Sequence, residues 1–292
     1  MRDRSWGSQL FDGINIIMLC FFALLAVIPF VYVLAGSFTA SEELLDKGFI
    51  LFPTKFSLEG YRYIFSTNTI IWSIGVTIFI TVAGTIINLF FTSLTAYPLA
   101  RRDFVGRKPI LMMALFTILF SGGMIPSFLI VKSLGMLNSY WSLLIPGAIS
   151  AFNLIILKNF FQQLPEGLEE AAKIDGCNDF QILFSIVLRL SMPAMATFAL
   201  FYAVGHWNTF FHAILYIDDS KKWPIQVWLR QIVILSQSGV GDSDEMAENY
   251  MPPPALIIQM AVIIVTTLPI LMVYPFLQKH FAKGVMLGSV KG

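Results

Sequence analysis

Residues 168–180 read LEEAAKIDGCNDF. The stretch is short, acidic and helix-forming, in a chain that is 57% hydrophobic and only 13% charged. A polar helix between apolar runs long enough to cross a bilayer is a loop element of a membrane bundle, so its reading decides the fold. Its ends are marked. Pro165 suits a first helical turn, where a missing N–H costs nothing. Glu166, Glu169 and Glu170 come early, where the helix dipole favours acids. Lys173 lies in the last turn, four residues after Glu169, a spacing that supports an ion pair. Gly176 suits the left-handed residue that stops a helix. Ten or so residues make about 15 Å of helix, too short to span a bilayer. Leu164, Leu168, Ala171 and Ala172 share one face with Asp175 at its end, and the acids and Lys173 cover the rest. Small Ala171 and Ala172 allow another surface to approach closely.

The runs around this helix are long. Charge-free stretches extend over 13–41, 63–100, 109–131, 133–157, 190–217 and 249–278. Each supplies the roughly 20 residues that a helix needs to cross about 30 Å of hydrocarbon. The expected fold is therefore an all-α integral membrane protein with six transmembrane helices, near 14–36, 70–98, 109–131, 139–158, 190–212 and 256–277, in one domain over 1–292. The mean hydropathy of +0.74 agrees. The first run exceeds the roughly 7–15 apolar residues of a signal peptide and is expected to be retained. Cationic residues set the orientation. Arg101, Arg102, Arg107 and Lys108 crowd one short turn, and Lys158, Lys173 and Arg189 share its side with both termini. The denser set belongs in the cytoplasm, which places segment 164–189 there and the long loop 213–255 outside.

Other segments carry weaker signals. RRDFVGRKP (101–109) is either a topological anchor or a partner contact. SGGMIPS (121–127) either kinks the third span or ends it. DFQILFSIVLRL (179–190), with Phe180 and Phe184 one turn apart, reads as an interfacial helix leading into the fifth span. Asp242, Asp244 and Glu245 do not match the calcium-loop pattern and read as a solvated loop, so no metal site is expected. No nucleotide-binding, hydrolase or zinc motif occurs, and no catalytic residue is expected. His206 and His212 read as satisfied or interfacial histidines. Cys20 and Cys177 form no disulfide framework. A net charge of +1 gives no reason to expect nucleic acid.

EAAKIDGCNDFQILFSIVLRLSMP (170–193) resembles the EAA loop of ABC-importer permeases. Glu170, Ala171, Ala172, Asp175, Gly176, Phe184, Ile186, Leu188 and Pro193 match that pattern. Cys177 stands where alanine is common, and Arg189 where proline is expected, a departure that bears on the bend into the fifth span. LTAYPLARRDFVGR (94–107), HWNTFF (206–211) and YPFLQKHFAKGVMLGSVKG (274–292) are similar to the carbohydrate-uptake, maltose-type permeases. They are most similar to the complex-saccharide branch of Gram-positive bacteria, and the resemblance covers nearly the whole chain.

The resemblance implies a type I importer fold with a cytoplasmic coupling helix, in the cell membrane. It implies a homologous second permease in a heterodimer, two copies of a cytoplasmic ATPase that holds ATP and Mg, and an extracytoplasmic solute-binding lipoprotein. The substrate would be an oligosaccharide or polysaccharide fragment. Glu169, Glu170, Ala171, Ala172, Asp175 and Gly176 would couple to the ATPase, with Glu170 meeting a basic group there. Lys279, His280 and Lys283 would either touch the ATPase or anchor at the lipid interface. Asn88, Asn153, Tyr202, Trp207 and Asn208 are candidates for the sugar pathway, or alternatively glue between helices. Two other classes compete. A self-contained secondary transporter wants ionisable groups inside its spans, which are scarce here. A non-transporting assembly protein has no need of the EAA pattern.

Overall fold

Inside a bilayer a backbone has no water to bond to, so apolar runs pair their N–H and C=O groups along themselves as helices. The structure, a computed structural model, describes residues 6–66, 68–237 and 255–289, with the backbone alone at 45, 166, 235–237, 255, 274 and 276–289. Among the described residues there is no strand, only an isolated bridge between Thr39 and Phe56. Three stretches are long and apolar enough to cross a membrane as straight helices: Trp6–Ser37, Asn68–Ala100 and Leu256–Val273, the last within the helix Ala255–Ser289. A fourth is a bent pair, Asp179–Leu190 and Met192–Trp207, at 87° to each other.

The other two expected spans are not continuous helices. In 109–131 the helix Arg107–Leu119 gives way to extended Phe120, and Gly123 takes φ 83° before Met124–Ser133 begins. SGGMIPS thus interrupts its run between two helical pieces. In 139–158 a single turn, Trp141–Leu144, is separated from Ala151–Phe161. Pro146 and Gly147 fall in that gap, where a missing N–H and a missing Cβ both disfavour helix. The Ser150 hydroxyl then caps the new helix by accepting from the Asn153 amide at 3.4 Å.

The chain divides into two units. The first takes Met1–Ile70 and Leu229–Leu268. Its core gathers Leu44, Ile50, Ile257 and Met260, and Gly60 lets Ile257 approach where a Cβ would stand 2.8 Å from its side chain. Phe38 stacks on Phe56 and Tyr61, and Tyr32 on Phe49. Glu43, almost fully buried, accepts from the Lys55 amide at 2.7 Å and the Thr54 amide at 3.1 Å. These bonds hold residues 54–55 against the helix Ser41–Lys47.

The second unit, Ile71–Trp228 with Pro269–Gly292, is organised about the central helix Asn68–Ala100. At 33 residues this helix is about 50 Å long. Near its start the Trp72 indole donates to the Lys221 carbonyl at 2.8 Å, and the Asn138 amide to the Tyr216 carbonyl at 2.7 Å nearby in sequence terms to the same loop. At its end Ala100 and Arg101 meet residues 162–179. The loops at 138 and 216–222 therefore gather away from the basic turn and the acidic helix. One core joins Ala96 and Leu99 to Leu157, Phe161, Ala172 and Ile182, and a second joins Val76 and Ile80 to Leu144, Tyr216 and Val227.

Candidate functional site

The acidic segment folds as the helix Glu166–Ile174, with Pro165 as its N-cap rather than inside its first turn. Its C-terminus is closed by local chemistry. Gly176, at φ 84°, donates its amide to the Lys173 carbonyl at 3.0 Å, and the Cys177 amide donates to the Ala172 carbonyl at 2.9 Å. This is a Schellman stop, which wants an apolar contact between those last two positions. Cys177 and Ala172 both pack on the core, so a cysteine serves where alanine is common. Two residues later a new helix starts on a capping box. The Asn178 side chain accepts from the Gln181 amide, and the Gln181 side chain from the Asn178 amide, each at 2.9 Å. That N-x-x-Q signal was readable and was not among the sequence expectations.

The faces of this helix divide differently from the expected grouping. Ala172 is 5% exposed and turned into the chain's own core, and Leu164 packs there too, while Leu168 is half exposed. Glu170 and Ala171 face outward, and Ile174 is 86% exposed. Spaced by one, three and four residues, Glu170, Ala171 and Ile174 form one outward stripe. Ala172 therefore seats the helix from within, and Ile174 is an outward apolar group that the motif reading passed over. Asp175 and Gly176 are exposed at the helix end.

Glu169 does not use Lys173 as its ion-pair partner. It pairs with Arg101, and the two side chains are only 19% and 18% exposed. Burial raises the affinity of the Glu169 carboxyl for a proton, against the opposing pull of Arg101 and Lys173. Arg101 donates also to the Tyr97 hydroxyl, lies 4.8 Å from the centre of that ring, and reaches Asp179 at 3.7 Å. From the other side the Gln162 amide donates to the Ala100 carbonyl at 3.1 Å. At least this arginine of the basic turn thus has a structural role within the chain.

Beyond Asp179 the segment contains a π-helical turn, Leu183–Val187, and the 87° bend falls at Ser191. The Ser191 hydroxyl is buried without a hydrogen-bond partner among the described residues. The bend forms with Arg189 exposed at the position where the EAA pattern has proline, and Pro193 stands at the start of Met192–Trp207.

The expected pathway residues do not form one group. Asn88 and Tyr202 line a cavity of about 420 Å³ with Ser142, His206, Thr209 and His212. Asn88 donates to the Gly147 carbonyl at 2.7 Å, and its oxygen faces His206 Nε2 at 3.0 Å. Gly84 makes that approach possible, since a Cβ there would stand 2.4 Å from the same nitrogen. The Tyr202 and Thr92 hydroxyls are 2.7 Å apart. Asn153 and Trp207 are buried and do not line this cavity. Exposed Asn208 donates to the Val204 carbonyl at 2.9 Å, closing the end of its own helix. The side chains of Lys279, His280 and Lys283, and residues 242–245, lie outside the described residues.

Among the described residues, long apolar helices carry no strand with them, and a capped polar helix is tied to the end of Asn68–Ala100, the parts expected of a membrane protein with a docking element. The chain belongs to the family described as binding-protein-dependent transport system inner membrane component, which matches residues 1–287. It is a permease subunit of the ABC-importer class and not an enzyme. It is 60% identical over 98% of its length to the polygalacturonan/rhamnogalacturonan transport system permease protein YtcP of Bacillus subtilis, covering 99% of that protein. It is 56% identical to Protein LplC of Bacillus subtilis, over 98% of this chain and 96% of that one. A crystal structure of a bacterial ABC transporter involved in the import of the acidic polysaccharide alginate superposes with a TM-score of 0.87 at 30% identity, covering 96% of this chain and 100% of that one.

Proposed function

We propose that this chain forms half of the pathway of an ATP-driven importer for acidic oligosaccharides of the galacturonan type. A homologous permease supplies the other half, and two copies of a cytoplasmic ATPase, carrying ATP and Mg, drive the pair. A solute-binding lipoprotein delivers the sugar from outside. The chain crosses the cell membrane six times with both termini in the cytoplasm, the two interrupted runs counting as crossings. The helix Glu166–Ile174 is the coupling helix. Glu170 meets a basic group of the ATPase, Ala171 and Ile174 pack in its cleft, and Asp175 and Gly176 shape the exposed end. Lys279, His280 and Lys283 reach the same partner.

The observation that carries this reading is the outward stripe of Glu170, Ala171 and Ile174 on a helix whose other face is anchored by Ala172 and Glu169. A partner helix of a soluble enzyme needs both a fixed back and a free front. The substrate class rests on the names of the relatives, and the cavity beside Asn88, Tyr202 and His206 offers hydroxyl and imidazole groups to a sugar. The test is uptake of an oligogalacturonide digest by cells carrying the complete transporter. Glu170→Arg should abolish uptake and release of the ATPase from purified membranes should rise, while the permease still inserts. Uptake that survives Glu170→Arg at the unmutated rate contradicts the assignment.

A further inference from the structure

Two routes lead from the helix Glu166–Ile174 into the rest of its unit. The covalent route passes through left-handed Gly176, the π-helical turn at Leu183–Val187 and the 87° bend at Ser191. Each is a place where backbone hydrogen bonding departs from a regular helix, so this route is compliant. The second route is through side chains. Arg101 is held from its own helix by the Tyr97 hydroxyl and ring, and it grips Glu169 and Asp179 together. Gln162, before the acidic helix, ties the Ala100 carbonyl. The polar contacts therefore strap two points of the coupling segment, Glu169 and Asp179, and Gln162 just before it, to the end of the central helix. That helix continues as Asn68–Ala100 without a break, and its own Gly84, Asn88 and Thr92 hold His206 and Tyr202 at the cavity. From Arg101 to Asn88 is 13 residues, about 20 Å of helix.

We infer that Arg101 is a positioning residue for transport: it clasps the coupling helix to the central helix, so that the motion of the ATPase reaches the cavity through Asn68–Ala100 as well as through the bent arm. The arginine geometry suits this role. Its rigid planar fork holds two acids in a fixed geometry, which the rotatable ammonium of a lysine does not fix, and at under one-fifth exposure salt screens the Arg101–Glu169 pair weakly. The inference rests on the importer reading above, with Glu166–Ile174 as the helix that the ATPase moves.

The test uses the complete transporter, reconstituted in proteoliposomes with its second permease, ATPase and binding protein, and an oligogalacturonide digest as probe. ATP hydrolysis and uptake are measured in parallel. In Arg101→Gln the uptake per ATP hydrolysed should fall about 10-fold or more, the loss expected for a hydrogen bond between charged groups. Arg101→Lys, which keeps the charge beside Glu169 and Asp179 but not the planar fork, should hold a ratio between those of the wild type and Arg101→Gln. Tyr97→Phe, a milder change that keeps every charge, should lower the ratio in the same direction, and it decides the matter if Arg101→Gln does not assemble. A role confined to folding lowers hydrolysis and uptake together and leaves their ratio unchanged, and that result, in Arg101→Gln or in Tyr97→Phe, overturns the inference. A wild-type complex whose hydrolysis does not respond to the loaded binding protein counts against the importer reading instead.

Discussion

Replacing Gly84 with alanine should set the central helix against His206. A Cβ at this position would lie 2.4, 2.5 and 2.6 Å from Nε2, Cε1 and Cδ2 of the imidazole. Non-bonded heavy atoms settle at roughly 3.5–4.0 Å, so the ring must retreat by about 1 Å. The 3.0 Å contact between Asn88 Oδ1 and His206 Nε2 then opens past hydrogen-bond range. Overpacking costs about 1–3 kcal/mol. The lost interhelical bond adds roughly 0.6–2 kcal/mol in a membrane setting. Alanine recovers about 1 kcal/mol of helix propensity over glycine. The net is a destabilisation of about 1–4 kcal/mol. With His206→Ala already in place the clash is gone and only the propensity gain remains, so the same substitution should stabilise by up to about 1 kcal/mol. Unfolding of the purified permease in detergent, followed for the two single variants and the double variant, gives the coupling between the sites. Equal destabilisation by Gly84→Ala with and without His206 would refute the packing argument.

Two further outcomes follow from local geometry. Hydrogen bonds from Thr54 and Lys55, with the Lys47 ammonium beside them, hold the Glu43 carboxyl at about 2 against an ordinary 4.5. A depressed carboxyl stabilises the fold above its unfolded value, so this support should fade as pH falls from 4.5 toward about 2, and Glu43→Gln should remove that dependence; protection factors of the Thr54 and Lys55 amides measure it. Ala172→Leu should push Glu166–Ile174 off its core at a cost of about 1–3 kcal/mol, whereas Ala171→Leu on the outward side leaves thermal unfolding unchanged; the reverse order would mean that the two faces are misassigned.

What could be read from the sequence was local. The stop at Gly176 needs only a glycine and its two neighbours, and the interruption in SGGMIPS is announced by its own residues. The gap at Pro146–Gly147 carried the same signal, but the flanking apolar run masked it. Contacts between distant residues left no such trace. Glu169 has Lys173 at helical spacing, yet Arg101 wins because both side chains of that pair are largely shielded from water, where a charge-assisted bond is worth more than one to an exposed neighbour. Asn88 and His206 are 118 residues apart, and nothing in either neighbourhood announces the other. Asn208 is polar near a span, and the bond it makes at its helix end, to the Val204 carbonyl, was not legible from that polarity alone. Ala171 and Ala172 are alike in the motif, and only the packed core separates their duties.

The right angle at Ser191 sets a gearing. The arm Asp179–Leu190 lies at 87° to Met192–Trp207, so the two behave as a crank and its shaft. Its 12 residues give a throw of about 18 Å, over which a rocking of about 10° sweeps one end through about 3 Å. A push along the shaft moves it by its own length of travel, but a push at the end of the crank turns it. In the importer proposed above, such an elbow would turn a small sideways displacement of the coupling helix into rotation of Met192–Trp207, the helix that brings Tyr202 and His206 to the cavity, with no need to slide it along its own axis.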